Sequence, residues 1–330
     1  MRYSPQLDGL RALAAVLVVL FHAKVPGFDV GFMGVDIFFV LSGYLITRLL
    51  RDEITTTGRL DYAGFCLRRI RRLYPAFLMM LAVYLAVAPI AFSETPMSRH
   101  LQDAIISGLY MADYSVMLDL KPAVIAHTWS LGVEEKFYLI WPPVLLVLMR
   151  LPMRTAIAAI WLLFGLATCW RLWNVVHLNH HWLMYHRFDT HVTGLLLGAA
   201  LGLGRVTLPQ WCGYLGLIAM VACMYFLEWR GRTTAAFGFT AIELTAALLV
   251  CSRPAVLGHS VLAWLGKMSY GLYLWHYPLI IYGRQHEMTW ASKALLGGLG
   301  GLALAVISYY TIETYFRTAR QPVTARTASD

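Results

Sequence analysis

Charged side chains are scarce in this chain. Only 14% of its 330 residues are Asp, Glu, Lys or Arg, against 59% hydrophobic, where a soluble domain carries nearer a quarter charged. Apolar runs recur from end to end, so the composition argues against soluble domains and for one integral membrane domain. Cysteine is sparse and unpatterned. Cys66, Cys169, Cys212, Cys223 and Cys251 are odd in number, have no metal-ligand spacing and lie mostly in apolar runs. That argues against a disulfide framework and against a zinc site. Acidic residues number 18 against 27 basic ones, a net charge of +9. No stretch interleaves aromatic and basic residues like a nucleic-acid platform, so no nucleic-acid partner is expected. The positive excess is assigned to loops facing anionic lipid and to an anionic substrate site. Low-complexity segments, convincing repeats and a second domain are lacking. The N-terminus mimics a signal peptide, but no small-x-small cleavage site follows its short apolar run, so it reads as a retained first helix.

What is present is a series of about ten apolar spans, near 8–25, 33–50, 74–92, 132–149, 155–173, 190–204, 211–227, 235–251, 261–282 and 294–315. The expected fold is therefore an all-α, multi-pass membrane protein. One domain fills 1–316, and a short basic, polar tail fills 317–330. The sixth span is short and glycine-rich, which suits tilt or close packing. The segment 101–118 holds Asp103 and Asp113 and reads as a helix in a long external loop, with an eleven-span fold as the rival. With the N-terminus inside, the larger share of Lys and Arg falls on the inner side, as the positive-inside rule asks. Ten spans then put the C-terminus inside too.

Ionisable residues inside such spans are the first candidates for function. Arg11 and His22 bracket the uncharged run 12–21. In a helix His22 lies about 16 Å deeper than Arg11, about half of a hydrocarbon core roughly 30 Å thick. The alternative is a neutral histidine bonded to a neighbouring helix. Asp36 opens the second span and could orient His22, pair with a cation, receive a proton, or mark an interfacial helix start. Gly34 and Gly43 would let another helix or a ligand approach the backbone. Arg68, Arg69, Arg71 and Arg72 precede Pro75 on the inner side, with Arg68, Arg71 and Arg72 on one broad helical face. Guanidinium groups grip phosphates in a bidentate fork, so the cluster suits a phosphate-rich cytoplasmic ligand or else lipid phosphates.

Ser130, Glu134 and Tyr138 stand at i, i+4 and i+8 and share one helical face. A hydroxyl, a carboxylate and a phenol in line suit sugar recognition or proton transfer. Arg187 and Asp189 open the sixth span and either bind acceptor hydroxyls or close a salt bridge. Five histidines nearby, His177, His180, His181, His186 and His191, fit no standard metal site, and no metal is expected. In the ninth span Ser269, Tyr273 and His276 share a face, so His276 is either a substrate-binding group in a polar cavity or a helix-packing hydrogen bond. No role is assigned to Glu313.

Together these segments resemble the membrane acyltransferase-3 family, which O-acylates envelope and secreted sugars in bacteria. The resemblance rests on Leu7-Asp8-Gly9-Leu10-Arg11-Ala12 with Phe21-His22, on Gly34-Val35-Asp36-Ile37-Phe38-Phe39-Val40-Leu41-Ser42-Gly43-Tyr44, and on Arg68-Arg69-Ile70-Arg71-Arg72-Leu73-Tyr74-Pro75. It continues through Trp129-Ser130-Leu131-Gly132-Val133-Glu134-Glu135-Lys136-Phe137-Tyr138, Arg187-Phe188-Asp189 and Ser269-Tyr270-Gly271-Leu272-Tyr273-Leu274-Trp275-His276. Each stretch alone is moderately specific. In this order, over nearly the whole chain, they are highly specific.

The resemblance implies a ten-helix domain in the bacterial inner membrane. It would take an acyl group, usually acetyl, from cytoplasmic acyl-CoA and hand it to a hydroxyl of an extracytoplasmic or lipid-linked sugar. Arg11 and His22 would be the essential pair, the arginine cluster would serve the coenzyme side, and Glu134 with its neighbours would belong to the reaction chamber. Some family members append an extracytoplasmic hydrolase-like domain. None is visible here, so this chain is expected to finish the reaction alone or to pass the acyl group on. The expected chemistry is direct transfer, with neutral His22 accepting the acceptor's proton and Asp36 or Glu134 holding the imidazole or the acceptor. An acyl-histidine relay is less favoured. The rival is a proton-coupled transporter or flippase for a sugar-linked substrate, which also needs buried ionisable groups. The partners expected are membrane lipid and a glycan or lipid-linked sugar. Oligomeric state is open.

Overall fold

A computed structural model describes residues 3–120, 122–178 and 181–318, and among these every regular element is a helix. Arg2, Lys121, His180 and residues 319–330 of the expected tail lie outside the described residues. The principal helices are α1 (Pro5–Ala23), α2 (Met33–Thr57), α3 (Tyr62–Ala91), α4 (Met97–Gly108), α5 (Trp129–Leu148) and α6 (Met153–His177). They continue with α7 (Thr193–Gly204), α8 (Gln210–Phe226), α9 (Thr234–Ser252), α10 (Ser260–Gln285) and α11 (Trp290–Phe316). Six of them, α1, α2, α3, α6, α9 and α11, are long and apolar enough to cross a membrane. Large apolar side chains such as Leu162, Leu166 and Trp173 on α6 are exposed. A contiguous apolar exterior of this kind suits lipid rather than water.

The core helices meet at points where only glycine fits. A Cβ on Gly266 of α10 would lie 1.9 Å from the Asp8 carbonyl oxygen of α1. Where α2 crosses α7, a Cβ on Gly43 would lie 2.0 Å from the Leu195 carbonyl oxygen, and one on Gly198 would lie 2.0 Å from that of Val40. Small residues at a crossing let backbones approach. The glycine-rich sixth span is thus a 12-residue helix enclosed by its neighbours. Pro5 starts α1 at a position where its missing N–H costs nothing. Lys24 ends it in the left-handed conformation (φ 62°), its N–H turned back to the Leu20 and Phe21 carbonyls. The helix therefore stops just past His22.

Two sequence expectations change. The segment 101–118 is no single helix: α4 ends at Gly108, and a separate turn runs Ala112–Ser115. Twelve residues rise about 18 Å, short of a hydrocarbon core of roughly 30 Å. Its carboxylates hold the loop together. Asp103 accepts from the Ala123 N–H at 2.8 Å, and Asp113 pairs with Lys136 of α5 at 2.9 Å. Burial pushes both carboxyls up in pKa, against the pull of those partners. The second change concerns the arginine cluster. It does not precede a helix starting near Pro75, because α3 already starts at Tyr62, where the Asp61 side chain accepts from the Gly64 N–H at 2.9 Å. Pro75 lies inside the helix. Lacking an N–H, it leaves the Arg71 carbonyl without its intrahelical donor.

Candidate active site

Two cavities follow one another through the helix bundle. The first, of about 420 Å³, is walled by α1, α2, α3, α5, α10 and α11. Arg11 faces it, bonded to Asp8 one turn back at 2.8 Å. From α5 come Ser130, Glu134 and Tyr138, on the shared face that their spacing predicts. The Ser42 hydroxyl donates to Glu134 Oε1 at 2.6 Å, and the Tyr138 hydroxyl donates to Ser42 at 3.2 Å. A π-helical turn, Tyr309–Glu313, is the part of α11 that reaches this wall, so Glu313 lines the cavity after all.

Of the four clustered arginines only Arg69 and Arg72 line this cavity. The face that Arg68, Arg71 and Arg72 share is not the one turned to the cavity, which only Arg72 of the three reaches. Residues three apart are neighbours on a helix, and the pair turned inward is 69/72. Arg68 points outward, within 3.4 Å of Glu53 and 3.6 Å of Asp61. These acidic residues lie at the end of α2 and just before α3, on the side away from the cavity. Arg69 stacks over Tyr138, its guanidinium 5.3 Å from the ring centre. Lys267 adds a further cation to the wall.

The second cavity, of about 340 Å³, holds His22. Val35 and Tyr273 line both cavities and stand between them. The Tyr273 hydroxyl lies 2.5 Å from that of Ser130 and donates to the His127 carbonyl at 2.8 Å. Arg11 and His22, although on one helix, therefore face different chambers. Lys24, Arg230 and Arg284 also line the second chamber, and no carboxylate does so among the described residues. Aromatic rings, Trp129, Trp229 and Tyr277 among them, supply most of the remaining wall.

His22 does not act alone. Its Nδ1 lies 2.9 Å from Nε2 of His276, which is fully buried behind it. His276 Nδ1 lies 2.7 Å from the Tyr273 carbonyl and 3.1 Å from that of Leu272. A carbonyl only accepts, so His276 Nδ1 carries the proton and its Nε2 is a lone pair. With both rings neutral, His22 must then donate from Nδ1, which leaves its Nε2 as a bare lone pair. The backbone of α10 thus assigns the tautomer of a side chain on α1.

Asp36, expected beside His22, is elsewhere. It is fully buried, lines neither cavity, and accepts from Nε2 of His191 at 2.6 Å. His191 Nδ1 is 2.5 Å from the Tyr185 carbonyl. Both His191 nitrogens are thus engaged, one by backbone and one by Asp36. Of the readings open for Asp36, orienting His22 is the one this geometry removes. Arg187 and Asp189 also line neither cavity. They close a bidentate salt bridge, with Asp189 also accepting from Trp170 Nε1 at 2.6 Å and from the Tyr114 hydroxyl at 3.2 Å. Burial opposes ionisation of Asp189, but these donors outweigh it and hold the carboxyl below its usual pKa. Of the two readings open for this pair, the structure shows the salt bridge. His276 likewise orients His22 rather than lining a cavity.

Sequence reasoning missed His127, Lys24, Arg284 and the buried pair of Arg171 and Glu243. His127 stands two residues before Trp129, and its polar ring at the mouth of a motif was the available signal. Glu243 is a lone carboxylate in an apolar run, a signal by itself.

Residues 4–312 match the family model described as an acyltransferase domain. Among curated proteins, the chain is 34% identical to YrhL of Bacillus subtilis (strain 168), a candidate peptidoglycan O-acetyltransferase, over 96% of this chain and 55% of that protein. It is 30% identical to the peptidoglycan O-acetyltransferase OatA of Listeria monocytogenes, over 96% and 56% respectively. It is also 30% identical to the O-acetyltransferase OatA of Staphylococcus aureus, over 96% and 57%. The chain spans about half the length of the curated relatives it matches. No solved structure matches it.

Proposed function

The chain belongs to the acyltransferase-domain family, and on that premise we propose that it is a membrane O-acyltransferase moving an acyl group, acetyl in the first instance, from acyl-CoA to a hydroxyl of a glycan. The observation that carries this reading is the bare Nε2 of His22, fixed by His276 in a chamber that shares Val35 and Tyr273 with a second one lined by arginines. The domain is taken as 1–316, with ten spans in the bacterial inner membrane and both termini cytoplasmic. The first chamber then opens inward and the second outward.

The thioester donor is a substrate, not a resident cofactor. Its phosphates suit Arg69 and Arg72, with Arg11 and Lys267 near the same wall. Ser130, Glu134 and Tyr138 border the route toward Tyr273. In the second chamber aromatic walls suit the faces of a sugar, as the glycan named for the relatives would require. His22 Nε2 accepts the proton as the sugar oxygen attacks the carbonyl carbon, and returns it to the departing thiolate. Metal is not needed for this step.

Purified protein in nanodiscs, given labelled acetyl-CoA and a peptidoglycan fragment, is expected to place label on the glycan. Label that stays on the donor under all conditions would overturn the reading and favour the transport alternative. The donor site has its own test. Arg69→Ala is expected to raise KM for acetyl-CoA roughly 10- to 100-fold, because a charge-assisted bond is worth about 1.5–3 kcal/mol. Arg68→Ala should leave KM unchanged, since its exposed ion pairs face away from the cavity. Equal effects of the two substitutions would refute the assignment of the inward face.

A further inference from the structure

His127 is a buried histidine whose ring nitrogens close no regular hydrogen bond. It lies in the single turn Ala126–Thr128 that leads into α5 and is only 2% exposed. Neither Nδ1 nor Nε2 has a hydrogen-bond partner. The one group turned toward the ring is the Leu274 backbone, too poorly aligned to close a regular hydrogen bond with either nitrogen. The backbone here is firmly held, since the His127 carbonyl accepts from the Tyr273 hydroxyl at 2.8 Å and from that of Ser130 at 3.3 Å. The ring is thus fixed in place yet left unsatisfied. Such groups are rare in folded proteins because they cost stability.

Its position gives the reason. His127 lines the second cavity together with His22. Its ring stacks on Tyr277 at 4.9 Å, and Tyr277 also meets His22, at 4.7 Å. His276 lies 5.5 Å from His127 and 5.2 Å from His22. Of the three histidines lining the chamber, His22, His127 and His186, the first two therefore flank one tyrosine. The charged groups lining that chamber, Lys24, Arg230 and Arg284, are all cations, so negative charge developing there is favoured.

Resting on the acyl-transfer reading, we propose that His127 is a catalytic residue whose ring N–H donates a hydrogen bond to the thioester carbonyl oxygen as that oxygen becomes an oxyanion. The sugar oxygen forms a bond to the carbonyl carbon, its proton passes to His22 Nε2, and the carbonyl π pair moves onto oxygen against His127. The pair then returns, the C–S bond breaks, and the thiolate takes the proton from His22. Ester and free thiol are the products. The second His127 nitrogen is a lone pair left for a neighbouring hydroxyl of the sugar.

The test pairs kinetics with stability in His127→Leu and His127→Gln, with wild type and His22→Ala as controls, all in nanodiscs. His127→Leu is expected to lower kcat roughly 10²- to 10³-fold, the usual loss for one oxyanion donor. KM for acetyl-CoA should stay within about threefold. Tm should hold or rise, because leucine suits the apolar wall and removes two unbonded nitrogens. His127→Gln, which keeps an N–H, should recover part of kcat. A His127→Leu kcat within about threefold of wild type overturns the proposal, as does a loss that follows a fall in Tm and is not rescued by glutamine. Wild type that transfers no label, matching His22→Ala, overturns the acyl-transfer reading and this inference with it.

Discussion

His22→Ala is expected to insert and fold yet to transfer acyl groups about 10²- to 10⁴-fold more slowly than wild type, the range for loss of a positioned general base. Folding is spared because His22 is only partly buried, its imidazole reaches a cavity, and alanine favours a helix. The same logic reaches one residue further. His276→Leu leaves His22 in place but removes the acceptor for its Nδ1–H, so the ring samples the wrong tautomer and kcat falls while KM for acetyl-CoA holds. His276→Gln offers a side-chain carbonyl to the same N–H and should restore part of the rate. Steady-state transfer from labelled acetyl-CoA measures all three. Unchanged product formation by His22→Ala would remove the base from the mechanism, and a silent His276→Leu would remove the tautomer lock.

Arg171→Leu is expected to lose about 3–5 kcal/mol of stability, the cost of leaving a buried carboxylate without its partner. Arg171 on α6 is 1% exposed and lies 3.6 Å from Oε1 of Glu243 on α9. Its guanidinium donates to Thr193 at 3.0 Å and also to Thr240, and Thr193 in turn donates to Glu243. One cation thus ties α6, α7 and α9 together where lipid offers no alternative partner. Arg171→Leu with Glu243→Leu removes both charges and should recover most of the loss. Thermal unfolding of the two proteins decides the matter. A double variant no more stable than the single one would show that the pair is not what holds these helices.

The spacing of Ser130, Glu134 and Tyr138 was legible from sequence because i, i+4, i+8 is a property of one helix, whatever surrounds it. The arginine cluster shows the limit of that reasoning. Its composition announced an anion site, yet which arginines turn inward depended on how α3 packs, and Arg68 falls on the far side beside Glu53 and Asp61. Asp36 was suspect because a carboxylate in an apolar run demands a partner, but His191 lies 155 residues away and nothing local named it. His127 gave no periodic signal at all.

The sequence by itself determined the class of this protein: an all-helical, lipid-suited chain of the acyltransferase-domain family, with its ionisable residues confined to a few motifs. Composition and motif order are written along the chain and survive any arrangement of the helices. Only the tertiary structure decided that Arg11 and His22 face different chambers and that His276 fixes the tautomer of His22. It alone decided that Trp170 and Tyr114 join the Arg187–Asp189 clasp and that the His127 ring is buried. Those facts depend on the rotation of each helix about its axis and on which distant helix it meets. Close contacts such as Gly266 on Asp8 and Gly43 on Leu195 set both, and no stretch of sequence contains both sides of such a contact.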